Sequence, residues 1–159
     1  MEAILPGLTS APNIHPMVVH FPIAFWVAGT AAWGWALLRA NEDVWRFGLW
    51  LQTLGAIGAA AATVAGFLAS ESLGHGSPGH DLVHTHRDFM LGATALSIGL
   101  TGVRWWMRAG GRAWKTGLSV AAVALVGVMS LGADRGAYLV YQHGVGVADG
   151  SSHQAPHSH

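Results

Sequence analysis

Four apolar stretches divide this chain, and each is long enough to cross a bilayer as a helix: approximately residues 16–38, 47–69, 89–107 and 114–134. A helix advances about 1.5 Å per residue, so roughly 20 residues span the hydrocarbon core. Lipid offers no partner to backbone N–H and C=O groups, so such stretches must satisfy their hydrogen bonds internally. The predicted fold is therefore all-α: an integral membrane four-helix bundle. Charge content agrees. Only 10% of the 159 residues are charged, against about 25% in a soluble domain. The formal net charge is zero, so no basic surface points to nucleic acid. With no cysteine, disulfides, thiolate metal sites, iron–sulfur clusters and covalent c-type haem are excluded. The opening MEAILPGLTSAPN has no basic region, so the first span is expected to be retained rather than removed as a signal peptide.

The basic residues set an orientation. Arg39 and Arg46 flank the first loop, and Arg104, Arg108, Arg112 and Lys115 occupy the third; only Arg87 and Arg135 fall on the opposite side. Cytoplasmic loops are enriched in Lys and Arg. The two basic loops are thus predicted to face the cytoplasm, with both termini and the second loop on the outer, periplasmic side. The ten histidines then segregate completely. His15 and His20 open the first span, and His75, His80, His84 and His86 lie between the second and third. His143 follows the fourth span, and His153, His157 and His159 lie in the tail. All of them fall on the predicted outer side. Residues 1–147 form the expected membrane domain, and 148–159 a histidine-rich tail.

Two segments carry most of this chemistry. In NIHPMVVHFPIAFW, Asn13 is a candidate helix cap and Pro16 suits a first turn. His15 and His20 lie about 140° apart on a regular helix. Pro22 removes one backbone hydrogen bond just after His20. That places His20 on the inner side of the bundle, where an ionisable group is a functional candidate. In SPGHDLVHTHRDFM, Ser77 and Pro78 read as a cap and first helical position, so the third helix is expected to begin near 78 and extend outward over 78–88. His80, His84 and Asp88 then share one face, and His86 points to nearly the opposite one. An HxxxH pair such as His80 and His84 can chelate copper or zinc, although the spacing also occurs on surfaces that bind nothing.

The spans themselves favour close packing. Gly58, Ala62 and Gly66 form a small-residue stripe on the second span, with Ala95 and Gly99 on the third and Gly117 and Ala121 on the fourth. Such stripes let helices approach in a membrane, and smooth faces also leave room for a flat cofactor. The eight tryptophans gather towards the basic ends and read as an interfacial aromatic belt.

HPMVVHFPIAFW at 15–26 and YLVYQHGVGV at 138–147 resemble the opening and closing signatures of a bacterial membrane family, domain of unknown function 2231. The likeness covers roughly residues 13–147 and implies four helices. His86 followed by Arg87 also resembles the family pattern at the third helix. Gly136 followed by Ala137 departs from the Gly-Gly pair expected before LVY. Some relatives in that family look to be fused to, or encoded beside, c-type cytochrome domains, which implies respiratory electron transfer.

Three functions compete on these residues. In the first, haem b is held axially by two histidines from different helices. His20 and His86 are the expected ligands. Arg87 and Arg135 would serve its propionates, and Tyr141 and His143 the pocket edge. That is an electron-transfer component rather than a stand-alone enzyme. In the second, copper, zinc or iron is bound by His15, His20, His80, His84 and His86, with the tail contributing. In the third, the chain is a cofactor-free accessory subunit of a respiratory complex in the bacterial inner membrane. No Ser/His/Asp set or carboxylate pair supports a hydrolase.

Overall fold

The computed structural model describes residues 4, 11, 13–71, 80–107, 110–145 and 147. These residues form four helices and, among those described, no strand. The helices are α1 (His15–Arg39, broken for one residue at Val19), α2 (Glu42–Glu71), α3 (His80–Trp106) and α4 (Arg112–His143). The break has a local cause. Pro22 has no N–H to return to the carbonyl of Val18, and regular bonding resumes with the Ile23 N–H on Val19 O at 3.4 Å. The fourth helix runs nine residues past the end of the apolar stretch that announced it, to His143, where Gly144 closes it in the left-handed conformation (φ 63°). The expected helix start at Ser77–Pro78 lies outside the described residues.

Corners are set by short polar residues. Asn13 Oδ1 accepts the His15 backbone N–H at 3.2 Å, ahead of Pro16 in the first turn. Between α1 and α2 the chain turns on Ala40 in the left-handed region (φ 49°). Asn41 Oδ1 then accepts the N–H groups of Asp43 and Val44, each at 3.0 Å, and caps α2. Glu42 and Asp43 complement the positive end of that helix.

Each helix packs on two neighbours in cyclic order, α1 on α2, α2 on α3, α3 on α4 and α4 back on α1, which leaves α1 and α3 on a diagonal. Three of the four helices, α1, α2 and α4, are long and apolar enough to cross a membrane. The third is long enough but less apolar, because it spends Thr94, Ser97 and Thr101 on the interior and carries Arg104 near its end. The exterior is as apolar as the interior: Phe21, Leu38, Ile57, Val64, Leu68 and Val120 all stand exposed. A helix that is apolar on every side belongs in a core or in lipid.

Rings seated on glycines build the interface between α1 and α2. Trp33 lies on Gly48, Trp26 on Gly55, Pro22 on Gly58 and His15 on Gly66. A Cβ at Gly55 would fall 2.4 Å from Trp26 Cδ1, and one at Gly48 would fall 2.5 Å from Trp33 Cδ1. The small-residue stripe on α2 therefore serves packing inside the bundle. The tryptophans correct the expectation of a uniform belt. Trp33 and Trp45 are fully buried and stacked at 4.8 Å, with the Trp33 Nε1–H donating to Trp45 O at 3.2 Å. Trp26 is buried and donates across the bundle to Ser97 Oγ at 2.8 Å. Trp35, Trp50, Trp105 and Trp106 are exposed as a belt would have them. Burial selects the rings on α1 that fall in register with the glycines of α2.

Candidate cofactor site at the histidine end of the bundle

The start of α1, the end of α2, the start of α3 and the end of α4 meet at one end of the bundle. Two imidazoles face each other there across the α1–α3 diagonal. The rings of His15 and His86 are 6.5 Å apart, centre to centre, with their planes at 85°. Both are half-buried. The Nδ1–H of His15 donates to Ala62 O at 3.0 Å, and the Nδ1–H of His86 donates to Gly132 O at 2.7 Å. A carbonyl can only accept, so each ring carries a proton on Nδ1, and in the neutral imidazole the lone pair then lies on Nε2. That is the state of an imidazole ready to bind a metal, oriented by its second nitrogen.

The two halves of this arrangement repeat. His15 reaches a carbonyl 47 residues further along the chain, and His86 reaches one 46 residues further. Four residues past each carbonyl a glycine lies under the ring. A Cβ would come 3.0 Å from His15 Cε1 at Gly66 and 2.9 Å from His86 Cε1 at Gly136. His86 follows His15 by the same 71 residues that separate Trp26 from its partner Ser97 on the same diagonal. The α1–α2 hairpin and the α3–α4 hairpin thus contribute the same module, a ring, a carbonyl and a glycine, from opposite sides of a central axis.

The other expected site residues fall around this pair. His20 is exposed on the outer face of α1, and the structure does not bring it together with His86; the buried residue beside it is Pro22. His80 and His84 meet edge to face one turn apart at the rim, their Nε2 atoms 3.0 Å apart. Arg87 contacts Asp88 at 3.3 Å on the exposed side of α3. The Arg135 guanidinium lies 4.5 Å over the Phe89 ring and donates to Leu131 O at 2.7 Å, one residue from the glycine beneath His86. Tyr141 is 83% exposed, and His143 packs against Tyr138 on the outside of α4. Among the described residues no three histidine or acidic side chains converge tightly enough to hold a metal ion. His75, Arg108 and the tail histidines lie outside the described residues.

A signal for His15 was available in the sequence. The buried positions of α1 are Pro22, Trp26, Gly29, Trp33 and Ala36, alternating steps of four and three. One further heptad towards the N-terminus reaches His15 and misses His20.

Comparison with curated proteins and with solved structures finds no match. The family model described as predicted membrane protein (DUF2231) matches residues 11–149, from just before the first histidine to just past the cap of α4, and the chain belongs to that family.

Proposed function

We propose that this protein is a membrane-bound b-type haem protein of the bacterial inner membrane, carrying electrons at its histidine end, with His15 and His86 as the axial pair. One observation carries the reading: two imidazoles on diagonal helices, each fixed through Nδ1, with both Nε2 atoms free at a ring separation of 6.5 Å. Two imidazoles bound on opposite sides of one metal, each nitrogen about 2 Å from it, have ring centres about 6 Å apart. Two protein ligands are all that a haem needs, which suits a site with no third donor among the described residues. Bound haem supplies a one-electron couple whose potential is tuned by its surroundings.

The chain supplies the rest. The carbonyls of Ala62 and Gly132 raise the basicity of the imidazoles and hold their orientation. Gly66 and Gly136 let the rings lie close to the helix backbones. Arg87 adjoins His86 and Arg135 adjoins Gly136 beneath its ring, and both suit propionate carboxylates. With His15 and His86 both holding it, a bound haem would supply electron transfer rather than bond-making chemistry. The basic loops orient the histidine end to the periplasm, where a c-type cytochrome or a respiratory complex is the partner.

Protein purified from membranes in mild detergent is expected to show a Soret band and a reduced-minus-oxidised α-band. His15→Ala or His86→Ala should remove both bands, and His20→Ala should leave them. A second reading rests on the His80–His84 contact, whose nitrogens at 3.0 Å form a bite for one copper or zinc ion. A colourless protein with stoichiometric copper or zinc, lost in His80→Ala, would select that reading. A colourless, metal-free protein isolated with respiratory partners would overturn both in favour of a cofactor-free accessory subunit.

A further inference from the structure

The opposite end of the bundle holds a different kind of opening. A cavity of about 270 Å³ lies between the α1–α2 corner and the start of α4, lined by Asn41, Glu42, Trp45, Gly111, Arg112 and Lys115 among others. Three observations there point to an anion. First, Trp45 is 1% exposed, and among the described residues its Nε1–H has no hydrogen-bond partner. A buried donor left unmade is costly, and more so where the surroundings are lipid. Secondly, the cavity opens on the first turn of α4, a helix of 32 residues whose cap, Gly111, is extended and offers no side-chain acceptor to the free N–H groups. That end of a helix attracts negative charge. Thirdly, two cations line it. Arg112 is exposed. Lys115 is largely covered, lies 5.3 Å over the Trp45 ring and pairs with Glu42.

We propose that this cavity binds a phosphate group. Its oxygens would accept the Trp45 Nε1–H and the first N–H groups of α4, and Arg112 and Lys115 would balance the charge. Glu42 competes for Lys115 in the empty state and is displaced when phosphate enters. The ligand is a phosphate ester of a membrane lipid or free inorganic phosphate, since both present the same oxygens. The inference is independent of the histidine end and stands whether or not haem is bound there.

The test is ³¹P NMR on the full chain in detergent, titrated separately with short-chain phosphatidylglycerol and with inorganic phosphate. A saturable shift or broadening with the lipid alone assigns the lipid, and one with inorganic phosphate alone assigns the free ion. Arg112→Gln and Trp45→Phe are each expected to weaken binding about tenfold, the loss of one charge-assisted hydrogen bond. Glu42→Gln is expected to tighten binding, because it removes the competing carboxylate. That gain of affinity cannot come from misfolding. Absence of saturable binding by either probe, or equal affinity in wild type and all three variants, overturns the proposal.

Discussion

The two ends of this bundle use buried polar groups in opposite ways. At the histidine end and along the diagonal below it, the donors discussed above, two half-buried and one buried, are all spent: His15 on Ala62, His86 on Gly132 and Trp26 on Ser97. At the basic end four buried polar atoms, Trp45 Nε1, Trp114 Nε1, Thr101 Oγ1 and Ser119 Oγ, have no partner among the described residues. The first end is tied to its own backbone, so its two rings are held in place by Nδ1 hydrogen bonds. The second leaves polar atoms unpaired, one of them on Trp45, which lines the cavity. Satisfied polar groups fix one geometry, and unsatisfied ones mark where something else is needed.

The largest effect expected in a test of that contrast is at the paired rings. His15→Ala and His86→Ala should each abolish the haem spectrum, with His20→Ala as the unaffected control in the same absorbance measurement. Next comes packing. Gly55→Ala places a methyl 2.4 Å from Trp26 Cδ1 and should lower stability by about 1–3 kcal/mol, read as a fall in thermal midpoint in detergent. Gly99→Ala, with nothing within 4 Å, should leave the midpoint unchanged or raise it slightly. Ser97→Ala leaves the Trp26 donor buried without a partner and should cost about 1–2 kcal/mol. The smallest effect separates the two ends most sharply. Thr101→Val removes a hydroxyl that is already unpaired, so its unfolding midpoint should match wild type or exceed it. A loss comparable to that of Ser97→Ala would show that the basic end is satisfied as well.

Much of this was legible in the chain. Apolar length gave the helices, because nothing else satisfies a backbone in lipid. The opposite helical faces of His86 and His84 followed from their spacing, and His86 does point inward while His84 stays with His80 at the rim. The choice between His15 and His20 was harder. Pro22 drew attention to the histidine nearest to it, but a missing hydrogen bond says where a helix bends and not which side faces in. The inward side is written in the heptad of rings and glycines, and reading it needs the partner helix as well. The buried tryptophans were obscured in the same way, since position along a helix implies depth and only register implies burial. The third helix spends its polarity inward, which made it the least apolar of the four.

The matched intervals carry a consequence for how such a chain comes to exist. Each hairpin ends on the side where it starts, so a duplicated hairpin would keep the orientation of the original and need no inversion, as in parallel repeats about an axis normal to the membrane. A single hairpin already owns half of the site, and two side by side complete it. The halves differ in their packing. Tryptophans lie on glycines between α1 and α2, whereas α4 fills its core with Leu118, Leu125 and Met129. What matches is the histidine with its carbonyl and its glycine, the part through which the two hairpins meet on the diagonal.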